Sequence, residues 1–400
     1  MDSQEPVVPR LHAVDALRGL VMIIMALDHV RDFFHVGAMS FSPEDLTKTT
    51  PLLFFTRWIT HFCAPVFMFT AGIGAFLWWQ KSGRTKKDLS RFLFTRGLWL
   101  VLLEVTVMRL AYNFSLSAGY PVLLIVLWVL GACMIVLAAL VYLPLRALAV
   151  LSAAVILLHN CLDPFKAAQF GIAAPLWSIM HQPGAFFIAG AMVIVAYPLI
   201  PWAAVMAGGF CFGRIFLLDQ ASRKRILLRT GLACILAFIL LRGLNLYGDP
   251  SPWSAQSSPL FTLMSFLRCT KYPPSLDYLL MTLGPALLVL SWFDGRRFSP
   301  ANPLIVLGRV PLFFFIAHFY AIHFLMDVLG LLRYGRIAFP FLFHPPPSFG
   351  GPSRDFPPDF GYPLWVVYAV WILIVASLYP ICRWFAHLKS TRRSVWLSYL

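Results

Sequence analysis

The sequence predicts an all-α fold: a polytopic membrane helix bundle of about ten transmembrane helices. Three observations predict it. The 400-residue chain is 60% apolar and 12% charged, with a mean hydropathy of +0.76, whereas soluble domains run at about 25% charged. Its apolar residues gather into stretches near the ~20 residues that a spanning helix needs. Its basic residues cluster between those stretches, so the net charge of +15 reads as membrane topology and not as affinity for nucleic acid.

The first span, 14–34, carries the most chemistry. Ala13–Phe34 reads AVDALRGLVMIIMALDHVRDFF. Ionisable groups are costly inside a bilayer, so Asp15, Arg18, Asp28, His29, Arg31 and Asp32 are each functional candidates by default. At about 100° per residue, Asp15, Arg18, Met22, Met25, His29 and Asp32 form one stripe, and Arg18 and His29 lie roughly 16 Å apart along the axis. His29 suits a general base, because imidazole titrates near neutrality. Asp32, at i+3, suits a group that fixes the tautomer of His29. Arg18 suits a phosphate or the helix itself. The plainer reading is an Asp15–Arg18 pair at one interface and a His29 cap at the other. His35, just past the helix, is a second candidate base.

The second span, 52–79, places Arg57 and His61 on one face at (i, i+4), either lining the cavity of His29 or anchoring the interface. Its Pro65 and Gly72 permit a kink and close packing. The third, 92–113, holds Glu104 at mid-membrane; Arg109 at i+5 is poorly aligned with it, which points to a partner on another helix and slightly favours a structural role. The fourth and fifth are 121–142 and 145–162. The sixth, 185–213, is long and interrupted at Tyr197–Pro201, where two prolines remove helix bonds. The seventh is 226–246. The eighth, 275–293, follows Lys271 and Tyr272, expected at its outer mouth, and two prolines that suit a helix start. Asp277 in its first turn is well explained by the helix dipole. The ninth, 303–330, carries Arg309, His318, Tyr320, His323 and Asp327. These would line a polar tunnel, although His318 alone is more often a satisfied interhelical histidine. The tenth is 363–385.

Basic clusters at Lys81–Arg96, Arg214–Arg229 and beyond Arg383 fall on one side of these spans, which places both termini in the cytoplasm. The division expected is a cytoplasmic segment 1–12, a membrane domain 13–387 and a basic cytoplasmic tail 388–400. Met1–Val8 lacks the basic start of a cleaved leader, so the first span is expected to be retained. The larger outer segments are 163–184, 247–274 and 331–362, and the prolines of 344–363 forbid helix there. Seven scattered cysteines without a C-x-x-C argue against a metal or redox site; Cys161 and Cys269 both fall outside, but pairing is not expected. Walker A, G-x-G-x-x-G, H-E-x-x-H and G-x-S-x-G motifs are absent from the sequence.

The stretch VDALRGLVMIIMALDH resembles the first helix of the heparan-α-glucosaminide N-acetyltransferase catalytic-domain family. TRWITHFCAPVFMFTAG, YPLIPWAAVMAGG, TKYPPSLDYLLMTLGP and GRVPLFFFIAHFYAIH resemble its bacterial members, so the resemblance spans nearly the whole chain. The spacing of Arg18 and His29 also resembles the arginine–histidine signature of a related group of membrane acyltransferases, in which the histidine is implicated in catalysis. In the lysosomal enzyme an asparagine stands at the position of His29, and the catalytic histidine follows the helix. His35 is the nearest match to it, so the resemblance leaves His29 and His35 both open. The resemblance is not expected to extend to the lysosomal enzyme's long lumenal N-terminal region, so its oligosaccharide specificity is not carried over.

The resemblance implies a membrane-bound, acyl-CoA-dependent acetyltransferase. Acetyl-CoA would be the donor and an external sugar amine or hydroxyl the acceptor, in a bacterial inner membrane. Cytoplasmic clusters containing Arg96 and Arg214 would attract the nucleotide phosphates together with Arg18. His29, or His35, with Asp32 would carry catalysis, by direct attack or through an acetyl-histidine. Arg57, His61, Lys271, Tyr272 and His318 would contact the acceptor. The expected partners are acetyl-CoA, a glycan acceptor, membrane lipid and a second copy in a homodimer, with no nucleic acid and no metal. The alternative is a transporter or flippase whose polar stripe is a solute path and whose interrupted sixth span is a hinge.

Overall fold

The computed structural model describes residues 12–392 apart from 82, 116–118, 343 and 350. Helix accounts for 72% and strand for 5%, so the protein is all-α in class. Helix α1 is His12–Phe34. Helix α2, Pro51–Ile59, continues through one tight turn into α3, Cys63–Trp79. Helix α4, Lys86–Leu103, passes through a wide π turn at Glu104–Met108 into α5, Arg109–Asn113. Strand β1, Val122–Leu124, precedes α6, Val126–Leu140, and α7, Leu145–Leu158. Helix α8, Ala174–Met180, strands β2, Gly184–Ile188, and β3, Ala191–Val195, and α9, Leu199–Phe212, follow. The remaining helices are α10, Gln220–Leu244, α11, Pro259–Leu267, α12, Leu276–Phe293, α13, Pro303–Arg309, α14, Pro311–Tyr334, and α15, Leu364–Thr391.

Among the described residues, seven helical stretches are long and apolar enough to cross a membrane: Pro51–Trp79, Leu145–Leu162, Leu199–Leu217, Gln220–Leu244, Leu276–Phe293, Pro311–Ala338 and Leu364–Thr391. Helix α1 is too charged for that set, yet it is the central pillar. It packs against α3, α12, α13, α14 and α15 and is buried on nearly every side. Helix α10, by contrast, buries only Leu227, Gly231, Phe238 and Arg242 and turns an apolar surface outward, as a peripheral membrane helix does.

Glycines set the closest approaches. A methyl group on Gly19 would lie 1.9 Å from the Leu304 oxygen, and one on Gly308 would lie 1.8 Å from that of Asp15, so α1 and α13 meet backbone to backbone. The same holds for α3 and α9, where a methyl on Gly72 would meet the Met206 oxygen at 2.0 Å and one on Gly209 the Phe69 oxygen at 2.1 Å. Neither carbonyl can yield without moving its helix. Gly209→Val is expected to destabilise the protein by about 1–3 kcal/mol or more, read as a lower melting temperature in detergent; an unchanged melt would contradict this packing.

Several boundaries differ from the sequence expectation. The stretch 185–195, expected as part of the sixth span, belongs to a β-hairpin of β2 and β3. Ala189 and Gly190 both take positive φ, 49° and 82°, at its two-residue turn, as hairpin geometry prefers. Pro198 then sets the start of α9. Strand β3 pairs antiparallel with β2 and parallel with β1, giving the order β1-β3-β2. The ninth span is two helices, because Val310 leaves helical geometry (φ −129°, ψ 48°) ahead of Pro311, where the proline ring disfavours it. The expected tail boundary at 388 falls inside α15, which runs on to Thr391. Of the segment expected as 1–12, only His12 is described, and 393–400 also lie outside the described residues. Cys161 is exposed, Cys269 is buried, and both are free thiols.

Glu104 finds its partners on another helix. Its Oε2 accepts from the Leu127 and Trp128 amides, at 2.8 and 3.0 Å, and its Oε1 from the Tyr112 hydroxyl at 3.0 Å. A carboxylate there satisfies orphan donors at the first turn of α6 and complements its dipole. The wide turn of the third span presents this side chain.

Candidate active site

The C-terminal half of α1, with Met25, Asp28, His29, Arg31 and Asp32, faces a cavity of about 650 Å³. His29 lies along one wall. Its Nδ1 is 2.7 Å from Nε2 of His318, whose own Nδ1 is 3.0 Å from the Phe314 carbonyl oxygen. A carbonyl only accepts, so His318 Nδ1 carries a proton and donates it there. His318 Nε2 is then the acceptor, and His29 Nδ1–H donates to it. This leaves Nε2 of His29 with a free lone pair and, among the described residues, no hydrogen-bond partner. His318 is fully buried, and Phe319 packs on the His29 ring at 4.2 Å between centroids.

Next to His29 the charges are matched. Arg31 Nη2 donates to Asp28 at 2.7 Å and to Asp32 at 2.6 Å. Arg57, from α2, donates to the other oxygen of Asp28. A buried pair of this kind needs both partners, because a lone buried charge is costly. Glu44, in the loop after α1, lies 2.6 Å from Nε2 of His61 and 3.9 Å from Arg57. The His61 contact is close but oblique, an ion-pair contact without the geometry of a straight hydrogen bond. Burial raises the Glu44 carboxyl, but His61 and Arg57 outweigh it and hold the group at about 2. A carboxyl depressed in the fold contributes stability above its unfolded value and loses it as pH falls through the folded one. Glu44→Gln is therefore expected to lower the melting temperature at neutral pH, with the gap closing as pH drops from the ordinary range of about 4.3 toward 2. A gap independent of pH would refute this pairing.

Lys271 and Tyr272 reach the cavity from the turn before α12. Arg242 fixes that turn. Its buried guanidinium donates to the carbonyls of Ser251, Ser265, Phe266 and Arg268 and stands 3.8 and 3.9 Å from Asp249 and Asp277. Asp249 in turn accepts from the Thr270 amide and the Ser275 hydroxyl, on either side of Lys271. Burial raises the Tyr272 phenol, but Lys271 and Arg57 outweigh it and leave the group below its usual value.

The segment between α14 and α15 covers this space. Ser348 donates to the Asp32 carbonyl at 2.8 Å, the Phe349 carbonyl accepts from Tyr120 at 2.9 Å, and the Phe349 ring stacks on Tyr112 at 5.6 Å. Leu123, Ile125, Ile194 and Ala196 of the small sheet and its flanks form another wall.

A second cavity, of about 260 Å³, lies toward the other end of α1 and is lined by Arg18, Arg96, Trp78 and Phe92 among others. Arg18 Nε donates to the Thr70 hydroxyl at 3.1 Å and its Nη2 to the Thr70 carbonyl. Gly74 leaves room for it, since a methyl there would lie 2.8 Å from Nη2. Phe67, Val126 and Phe315 line both cavities and so form the partition between them.

The structure thus brings His29, Asp32, Arg57, Lys271 and Tyr272 to one cavity and Arg18 and Arg96 to the adjoining one. Five residues sit otherwise than the sequence suggested. Asp32 spends its carboxylate on Arg31, and His318 instead orients His29. His318 therefore stands behind His29, buried, and lines neither cavity. His35 lines neither cavity; its Nδ1 accepts from the Gly37 amide at 3.0 Å and starts a short 3₁₀ turn. Burial and the nearby Arg31 depress its pKa. His61 is buried behind Arg57 against Glu44 and Tyr278. Arg214 is exposed in the turn Gly213–Leu217 and lines neither cavity. Sequence reasoning missed Glu44, Tyr112, Phe349 and the sheet wall. An aromatic amid the prolines of 344–363 was the signal for Phe349. Among the described residues, no group of three His, Cys, Asp or Glu side chains is arranged to hold a metal ion.

A family model described as "Heparan-alpha-glucosaminide N-acetyltransferase, catalytic" matches residues 10–247. That stretch contains α1 with His29 and Arg18, Arg57, Arg96 and the sheet; Lys271 and His318 lie beyond it. No individually curated protein matches the chain. With more than half of its length matched, including the helix that carries both cavities' polar groups, the chain belongs to the heparan-alpha-glucosaminide N-acetyltransferase catalytic family, a family of transferase-type enzymes.

Proposed function

We propose that the protein transfers an acetyl group from acetyl-CoA, held on the cytoplasmic side, to an amine or hydroxyl of a sugar on the opposite side. The observation that carries this reading is the pair of adjoining cavities. One presents a histidine with a free Nε2, the other presents arginines, and α1 runs through both. The clustering of Lys81–Arg96 and Arg214–Arg229 on one side supports the orientation, with both termini cytoplasmic.

Arg18 and Arg96 would hold donor phosphates or carbonyls at the mouth of the smaller cavity. The acyl arm would pass the partition at Phe67, Val126 and Phe315. His29 Nε2 takes the proton from the acceptor N–H or O–H as the acceptor atom attacks the thioester carbonyl. Arg57 faces the oxygen on which negative charge develops. The C–S bond then breaks, and protonated His29 returns its proton to the leaving sulfur. His318 accepts from His29 Nδ1 and holds the tautomer needed for this cycle.

The experiment is acetyl-CoA binding to purified protein by thermal shift and calorimetry, with Arg18→Ala beside it. Stabilisation that the variant lowers by about tenfold or more in affinity is expected for a lost charge-assisted contact. No binding at millimolar ligand would favour a transporter with no acyl chemistry.

A further inference from the structure

One face of the small sheet runs out of the cavity. Ile194 and Ala196 line the cavity from β3 and its end, and Leu123 and Ile125 line it from β1 and its end. Side chains alternate along a strand, and directly paired residues share a face. Ile194 therefore shares its face with Met192 on its own strand, with Leu123 across β1, and with Ala185 across β2. Phe187, paired with Met192, continues that face. The opposite face is closed: Val193 and Val195 are buried with Leu124 against Val105, Trp128 and Ile179. The cavity face is not closed at its far end, where Phe187 is 72% exposed and Met192 37% exposed. Strand β2 is also the sheet's edge. Apolar side chains such as Phe187 and Met192 are disfavoured in water and favoured against hydrocarbon, while the unpaired backbone of edge strand β2 suits the interfacial zone, where water and head groups can satisfy it.

The second observation is electrostatic. Arg31 and Arg57 are matched by Asp28, Asp32 and Glu44. Lys271 lines the same cavity from a turn that buried Arg242 holds in place, and among the described residues its ammonium forms no ion pair with a carboxylate; its partner is the neighbouring Tyr272, 5.2 Å from the ring centroid. A cation thus stands at one end of a continuous apolar track.

We propose that the acceptor is an amphiphile: an amino sugar joined through phosphate to a long hydrocarbon chain. The sugar would meet His29, the phosphate Lys271, and the chain would lie along Leu123, Ile194, Met192 and Phe187 toward the bilayer. This deepens the acetyltransferase reading and rests on it.

The test compares four acceptors in detergent with labelled acetyl-CoA: glucosamine, its phosphate ester, an alkyl glucosaminide, and glucosamine linked to farnesyl phosphate. Phosphate and chain are each expected to raise kcat/KM by about tenfold or more, as one charge-assisted contact and a few buried methylenes would. Lys271→Met removes the gain due to phosphate and Lys271→Arg restores it. Phe187→Asp lowers the ratio of long-chain to short-chain activity. Glucosamine used as well as the farnesyl-linked sugar, or a ratio untouched by Phe187→Asp, overturns the proposal. If no acceptor is labelled, that counts against the acetyltransferase reading, and binding of farnesyl phosphate alone decides this proposal separately. A thermal shift weakened by Lys271→Met and by Phe187→Asp supports it; no shift overturns it.

Discussion

His29→Ala is expected to lower acetyl transfer by about 10²–10⁴-fold, the range over which a positioned acid–base group acts, while acetyl-CoA still binds at Arg18. The reason is geometric. His29 Nε2 is a lone pair at the wall of the larger cavity, and its protonation state is set from behind by a two-histidine chain ending on the Phe314 carbonyl. His318→Phe keeps the packing of a ring but removes the acceptor of the His29 Nδ1 proton. It is expected to reduce kcat more than it raises KM and to displace the pH–rate profile, which a merely structural loss would not do. His35→Ala provides the contrast. It removes one acceptor for the Gly37 amide, costs about 1 kcal/mol of stability as a lost cap does, and leaves transfer near the parent rate. Full activity in His29→Ala with loss in His35→Ala would reverse the assignment of the base.

The largest effect on stability is expected from Arg242→Ala. Its guanidinium satisfies four carbonyls and offsets Asp249 and Asp277 inside the fold. Removing it leaves buried acceptors and two carboxylates without their cation, a loss of about 3–5 kcal/mol. The turn that carries Lys271 should loosen with it. The expected result is a melting temperature lower by many degrees and faster proteolysis between Tyr247 and Ser275. Arg242→Lys should recover little, because one ammonium cannot reach four carbonyls in the plane of a guanidinium. A parent-like melt for Arg242→Ala would mean that the turn is held by its backbone alone.

The bundle was legible because membrane helices write themselves as apolar length, and α1 declared its role through charges placed where charges are costly. The stripe of Arg18, His29 and Asp32 also pointed to the helix that lines both cavities. What failed was pairing across long separations. His29 and Asp32 share a helix, which made Asp32 the natural orienting group, yet Asp32 turns to adjacent Arg31 and leaves the role to His318, 289 residues away. No local pattern encodes that meeting. The hairpin escaped for another reason. Residues 184–195 are as apolar as a span, and only Val, Ile and Phe content with an Ala-Gly turn separates strand from helix. His35 resembled a family position by its order in the sequence, but in the fold its Nδ1 caps a short turn. Glu104 behaved as its isolation at mid-membrane required, with the difference that its partners are backbone amides and not a cation.

The central claim is that acetyl passes between the two cavities through the partition of Phe67, Val126 and Phe315. Sealed proteoliposomes, with labelled acetyl-CoA on the side of Arg18 and an amino sugar enclosed on the side of His29, test it most directly. Labelled sugar should accumulate inside, and Val126→Trp should stop it while acetyl-CoA still protects the protein against heat. Label appearing only when donor and acceptor share one side, or transfer unaffected by Val126→Trp, would contradict the account.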